Sequence, residues 1–309
     1  MLARATARSL LAAALAAALA ACGYADRPSP RVYVPFEAIS GPLQPELRNA
    51  AAAPPPDGAL RVVTFNVHLG EEIAAVEAAF LGNPTLQAAG VVLLEEIDAH
   101  PADGVSQAAR LAGALGMSHA YAPAFAYPDG GTHGIAVLSR WPITSGAVLD
   151  LPFFDLVENS ERRIAVHVTL AVGDRTLAVT ALHLDTRIDP NDRLEQLLPA
   201  VDLADPTCIL GGDFNSNPYL WAGRVLPLLP VQAAAPVDVA GAIDEFMRSR
   251  GFSAPTSGSG DTTNLSIGNT KLDSIYLRGY QPLGSGVARD VDASDHFPVW
   301  VDVAWPPSP

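Results

Sequence analysis

The chain has 309 residues, 49% of them hydrophobic, which is enough to bury the core of one full-sized globular domain; nothing in it requires a second. Its formal net charge is −14 and Lys271 is its only lysine. That balance argues against tight non-specific binding to nucleic acid, which needs clustered Lys and Arg to displace counterions from phosphates, whereas the arginines here are scattered.

The first 21 residues read as an address. Arg4 and Arg8 precede an apolar run from Leu10 to Ala21, too short to span a bilayer but suited to a signal-peptide core. The run ends in Leu19-Ala-Ala-Cys22, which resembles the bacterial lipoprotein processing site. That resemblance implies cleavage before Cys22 and lipid on its sulfur and its new amino group, and several acyl chains make a stable anchor. Gly23 after the cysteine points to the outer membrane. With Cys22 acylated, Cys208 has no disulfide partner and sits in an apolar run as a buried thiol. From 22 to 59 the chain is rich in Pro and Ala, with Pro54-Pro-Pro56 at its end, which favours extended backbone and reads as a stalk. Part of it, Arg31-Val-Tyr-Val-Pro-Phe36, could pack on the domain as an added strand or arm. Residues 60–309 then form the globular domain.

Beyond Leu60, apolar β-rich runs alternate with helical stretches. The strands expected are 61–67, 90–97, 134–140, 163–172, 175–184, 207–213, 271–278 and 297–304, with a hairpin turn at Gly173-Asp174. Helices are expected over 71–81, 104–115, 191–203 and 237–250, the last stopped by Gly251. Mixed hairpins and crossovers imply an α/β layered domain.

Several of these strands deliver polar side chains at their ends. Ile209-Leu-Gly-Gly-Asp-Phe-Asn-Ser-Asn-Pro218 carries an apolar run through two glycines to Asp213 and Asn215, and Ser294-Asp-His-Phe-Pro298 sets Asp295 beside His296. Asn66 closes Arg61-Val-Val-Thr-Phe-Asn66, Glu95 and Glu96 follow Gly90-Val-Val-Leu-Leu94, and His183 ends Thr180-Ala-Leu-His183. Asp273 lies inside an otherwise apolar strand, where an unpaired carboxylate costs several kcal/mol and so needs a partner. Oxygen ligands, a carboxylate and imidazoles at strand edges suit metal-assisted phosphoester hydrolysis: a hard cation, an activated water and donors for phosphate. A turn at Gly-Asp-Phe-Asn and a helix cap at Ser-Asp-His are the plainer readings of each piece alone.

In this order and spacing, the segments from about Leu60 to Ala304 resemble the endonuclease/exonuclease/phosphatase superfamily, which includes deoxyribonucleases, sphingomyelinases and inositol-polyphosphate 5-phosphatases. The resemblance implies a four-layer sandwich, two mixed β-sheets face to face with helices outside, and a site at one end of the sheets. It implies Glu96 as the main Mg²⁺ ligand (Mn²⁺ or Ca²⁺ remaining open), supported by Asn66 and Asp295. Asp213 would activate the attacking water, Asn215 would donate to a phosphate oxygen, and His183 and His296 would stabilise charge on phosphorus, with Asp273 orienting one of these groups. Relatives usually carry Gln where this chain has Glu95, whose extra carboxylate either binds a second metal or faces away, the latter being favoured. His68 and Arg163 could touch the site, His133 reads as structural or substrate-facing, and Arg193 and Gln196 as structural. The expected function is a metal-dependent phosphoester hydrolase, monomeric and lipid-anchored at the bacterial cell envelope, acting on a small or lipid-headgroup phosphoester. A nuclease of the same fold and an inactive binding module are the alternatives.

Overall fold

A computed structural model describes residues 45–305 apart from 155, 157–160, 223–225, 229–237 and 265–269. The signal segment, Cys22 and the stretch Arg31–Phe36 lie outside the described residues. The elements run β1 (Glu46–Arg48), β2 (Ala59–Asn66), α1 (Ile73–Gly82), α2 (Pro84–Gln87), β3 (Ala89–Ala99) and α3 (Gln107–Leu115). Next come β4 (Ser118–Ala126), β5 (Thr132–Ser139), β6 (Ile143–Asp150), β7 (Ile164–Val172), β8 (Arg175–His183) and α4 (Pro190–Leu203). The chain closes with β9 (Cys208–Asp213), β10 (Leu220–Ala222), β11 (Leu226–Leu228), α5 (Val239–Ser249), β12 (Asp273–Arg278), β13 (Pro282–Val287) and β14 (Val299–Ala304).

Two mixed sheets hold the domain. The larger has the order β1-β4-β5-β3-β2-β14-β13 and the smaller β12-β9-β8-β7-β6, while β10 and β11 form a separate ribbon. One parallel pair lies inside each main sheet, β2 with β3 and β8 with β9, and the other pairings in both are antiparallel. The sheets pack face to face through Val62, Leu93, Val166, Val179, Ile209 and Ile275. Because strand side chains alternate, the outward set of the same strands makes two further layers. Val63, Val92 and Leu94 meet Val76 and Phe80 of α1 and Leu111 of α3, while Leu182 and Leu210 meet Leu197 of α4 and Ile243 and Met247 of α5. Each such side chain contributes about 1.5–3 kcal/mol on burial, and burial on both faces is why these strands read as unbroken apolar runs. Among the described residues no helix is long and apolar enough to cross a membrane.

Four strands of the main sheets, β6, β13, β4 and β1, escape a reading by apolar runs, each for a visible reason, while β14 is the expected run with a later start. β6 is an edge strand, largely exposed, and β13 at the other sheet's edge is Pro-Leu-Gly-Ser-Gly-Val. β4 is built mostly of Ala with Pro123, weak strand formers rescued by pairing on both sides, with a register shift beside the proline. β14 begins at Val299, two residues later than the apolar run suggests. β1 falls inside the segment read as stalk, yet Glu46, Leu47 and Arg48 pair with Tyr121, Ala120 and His119, so the stalk's last residues form the outer edge of the larger sheet.

Candidate active site

The two sheets bring their strand ends to one rim. In the smaller sheet Asp213 sits opposite His183 of β8 and opposite Asp273 of β12; in the larger, Asn66 sits opposite Glu95. Asn66 Nδ2 donates to Asp213 Oδ2 at 3.0 Å, tying the rims together. The glycine before Asp213 has a steric cause: Gly212 has φ +145°, and a Cβ there would stand 1.9 Å from the Leu182 carbonyl oxygen. Any side chain at 212 would push β9 off β8 and move Asp213. Asp213 Oδ1 then accepts the backbone N–H of Asn215 at 2.7 Å, which fixes the carboxylate in the turn.

Two imidazoles face Asp213. His296 Nε2 is 3.9 Å from Asp213 Oδ2, and its Nδ1 lies 2.8 Å from Asp273 Oδ2, which also accepts from Thr262 Oγ1 at 2.6 Å. Burial alone would lower the basicity of His296, but Asp273 and then Asp213 outweigh it and hold the ring well above its ordinary pKa. His183 is built the other way. Its Nε2 is 3.6 Å from Asp213 Oδ2 and 3.1 Å from the Asn215 amide nitrogen, while Arg163 Nη1 approaches Nδ1 at 3.2 Å. Both nitrogens therefore face donors, and an imidazolium would point N–H groups at them. Burial and the Arg163 charge push its pKa well down and favour the neutral ring.

Arg163 is partly buried, its side chain 11% exposed, and it does reach the site. Its Nε donates to Asp185 Oδ1 at 2.8 Å and its Nη2 is 3.4 Å from Glu161, attractions that outweigh burial and keep it charged. Asp185 is held in turn by Gln196 Nε2 at 2.7 Å, and Gln196 Oε1 accepts the Asp185 N–H. Arg193 donates to the carbonyls of Asp185 and Thr186, so Arg193 and Gln196 act through the loop after β8. Asp185 itself went unnoticed in the sequence; its signal was its place two residues beyond His183.

On the larger sheet, a register shift between Leu94 and Ile97 puts Glu96 at φ +54°, a left-handed conformation rarely adopted outside glycine. The irregularity separates the two glutamates. Glu95 is fully buried, accepts from Thr64 Oγ1 at 3.0 Å, and is pushed well up by burial, then by the charges of Asp273 and Asp213. It therefore does not face away from the site but lies buried behind it, where burial and the neighbouring carboxylates favour its neutral form. Glu96 is half-buried at the rim, where its charge reaches both His183 and Arg163. Ser294 Oγ donates to the Asn66 carbonyl at 2.8 Å and to Asp295 Oδ1 at 3.3 Å, and His68 Nδ1 is 3.8 Å from the same Asp295 oxygen. The Asn66 amide oxygen accepts the His68 N–H at 3.0 Å and keeps one lone pair.

The donor set suits a hard divalent cation. Ligand atoms of Asp213, Asp273 and His296 lie within 4.8 Å of one another, and Asp273 Oδ1 is buried without a hydrogen-bond donor. A concentration of carboxylate oxygens with an orphaned acceptor is stabilised by positive charge. Asp213 and Asp273 hold hydrogen bonds to Asn215, Asn66, Thr262 and His296, and Glu96, Asn66 and Asp295 bring further oxygen atoms to the same rim. Cys208 is buried with its thiol pushed up to about 11 by burial, an inert group.

A sequence profile of the Endonuclease/Exonuclease/phosphatase family matches residues 59–296. No curated protein matches the chain. Among solved structures, an endonuclease/exonuclease/phosphatase from Beutenbergia cavernae DSM 12333 superposes with a TM-score of 0.60 at 21% identity, over 80% of this chain and 72% of that one. The mannosyl-6-phosphatase of Bacteroides thetaiotaomicron VPI-5482 gives 0.55 at 16%, over 80% of this chain and 100% of that one. The D. rerio TDP2 complexed with a single-strand DNA product gives 0.54 at 15%, over 81% and 100%. At these identities the likenesses establish the sandwich fold.

Proposed function

Because the chain belongs to the endonuclease/exonuclease/phosphatase family, whose members are phosphoester-cleaving hydrolases, we propose that it is a divalent-metal-dependent phosphoesterase of the bacterial cell envelope acting on a small or lipid-headgroup phosphoester. The observation that carries this reading is Asp213 at the junction of the two rims, between the imidazoles of His296, backed by Asp273, and His183, backed by Arg163. Asp213 orients and deprotonates the attacking water, and His296, braced by Asp273, donates to the phosphoryl oxygens as charge builds on them. Asn215, whose amide nitrogen donates to the Leu184 carbonyl at 2.8 Å and lies beside His183 Nε2, is the amide that positions phosphate. Glu96, Asn66 and Asp295 hold the cation, Mg²⁺ being the first choice, which when bound polarises the phosphoryl group.

The substrate class rests on charge. The acidic composition disfavours a polyanion. Arg140, Arg162 and Arg163 also do not combine into one basic groove. Arg140 follows the far end of β5 and donates to the carbonyls of Gln87 and Ala89. At the rim Arg162 pairs with Asp150 and Arg163 with Asp185. Lipidation at Cys22 would hold the domain at a membrane, in reach of lipid headgroups. The test sets the full chain in detergent against sphingomyelin and phosphoinositide vesicles, an aryl phosphodiester, plasmid DNA and RNA, with Mg²⁺, Mn²⁺ or Ca²⁺ and a chelator control. Metal-dependent turnover of the lipid or small ester is expected, and Glu96→Gln should weaken activity and metal response together while the fold stays intact. Cutting of DNA at physiological salt without lipid or small-ester turnover would make the nuclease reading the better one.

A further inference from the structure

We propose that His133, held by Asp98, is a further catalytic residue that contacts the leaving-group oxygen of the phosphoester and protonates it. This rests on the hydrolase reading above and adds to it the side of the site on which the alcohol departs. The strand order supplies the geometry. Along the larger rim, β14, β2, β3 and β5 set out His296, Asn66, Glu96 and His133 in that lateral order. Along the smaller rim, β12, β9, β8 and β7 set out Asp273, Asp213, His183 and, one residue before β7, Arg163. The sheets face each other with β2 over β9 and β5 over β7 and β8. The groove between them thus carries Asp213 towards one side, Glu96 near its middle and His133 towards the other. Displacement at phosphorus is in line, so a water oriented by Asp213 expels a leaving group towards His133.

His133 is built for a defined contact. Its Nδ1 lies 2.8 Å from Asp98 Oδ1, and Asp98 Oδ2 accepts the Tyr127 hydroxyl at 2.8 Å. The Asp98 backbone N–H is anchored on Gln107 Oε1 at 3.0 Å, and the Phe125 ring stacks on the imidazole at 4.7 Å between centroids. Both members of the dyad are buried, yet His133 Nε2 has no hydrogen-bond partner among the described residues and is not among the buried atoms left unsatisfied. The ring is thus fixed at one nitrogen and available at the other. His183 cannot serve as the acid, since both its nitrogens face donors.

The water oxygen bonds to phosphorus and gives its proton to Asp213; the bond from phosphorus to the leaving oxygen breaks; that oxygen takes the proton on His133 Nε2, while Nδ1 keeps its proton towards Asp98. Solvent then returns a proton to Nε2 and removes the one on Asp213, so that ester and water yield phosphate and alcohol.

Leaving-group dependence tests this directly, because an acidic phenol departs without help and an alkyl alcohol does not. The full chain, His133→Gln and Asp98→Asn are compared on a p-nitrophenyl ester and an unactivated alkyl ester of the same phosphoryl group, with thermal melting of each protein. His133→Gln should lower kcat on the alkyl ester by about a hundredfold and on the p-nitrophenyl ester by only severalfold. Asp98→Asn should show the same selectivity at smaller size, and carries the test if His133→Gln melts early. Equal losses on both esters, or none on either, would overturn the assignment. An unmutated chain inactive on both esters would instead overturn the hydrolase reading, and this inference with it.

Discussion

His183 and His296 stand on either side of Asp213 at similar distances, 3.6 and 3.9 Å, yet the surroundings of one favour a neutral ring and those of the other a charged one. The difference lies behind them. His296 is backed by the Asp273 carboxylate and His183 by the Arg163 guanidinium, and in a buried site such a neighbour decides whether the ring keeps a second proton. Two residues of one type, at one rim, thus take separate work: His296 can donate with a full charge, whereas His183 offers only the weaker hydrogen bonds of a neutral ring. The lesson is that an imidazole's role is set by its second neighbour more than by its distance from the reacting atoms.

The contrast breaks most severely at Arg163. Arg163→Met leaves Asp185 buried and uncompensated and should destabilise the fold by about 3–5 kcal/mol, read by chemical denaturation. Arg163→Lys should recover part of that loss without restoring the forked contact to Asp185 and Glu161. A variant as stable as the parent would show that the ion pair does not hold the rim.

Catalysis should separate the two rings next. His296→Gln should lower kcat by about a hundredfold or more, the scale of losing a charged donor to the transition state. His183→Gln, which loses only neutral hydrogen bonds of about 1–1.5 kcal/mol, should cost about tenfold. Adding Asp273→Asn to His296→Gln should cost little more, since the two act as one unit. Equal effects at His183 and His296 would remove the distinction.

The smallest expected effect is on stability against pH in metal-free protein. Burial and then Arg163 depress the His183 pKa in the folded state. Below about pH 6.5 an unfolded histidine therefore binds a proton that the folded one refuses. The unfolded state holds more protons, so this contribution is full above about pH 6.5 and is lost as the pH falls through the range below it. Melting temperatures between pH 7 and 5 should fall less steeply in His183→Gln than in the parent; an unchanged slope would mean His183 takes up its proton in the folded state as readily as in the unfolded one.

The sequence by itself determined the strands buried on both faces, because burial on both sides leaves an unbroken apolar run, and with them the rim that carries Asn66, Glu96, His183, Asp213 and Asp273. It also carries the two glycines before Asp213, Gly212 being required by the close approach of the Leu182 carbonyl and Gly211 by that of the Leu93 side chain. Edge strands such as β6 and β13 stayed hidden because one face meets solvent and little apolar pattern survives. The pairings were beyond the sequence as well. That Asp273 backs His296, Arg163 backs His183 and Asp98 backs His133 follows from cross-strand register and from a loop returning to the rim. So does the placing of Glu96, which the irregularity in β3 turns to the rim, while Glu95 keeps the inward alternation of Val91 and Leu93. Only the tertiary structure decided these, because protonation depends on the charges and solvent around a group, and those are contributed by strands far apart in the chain.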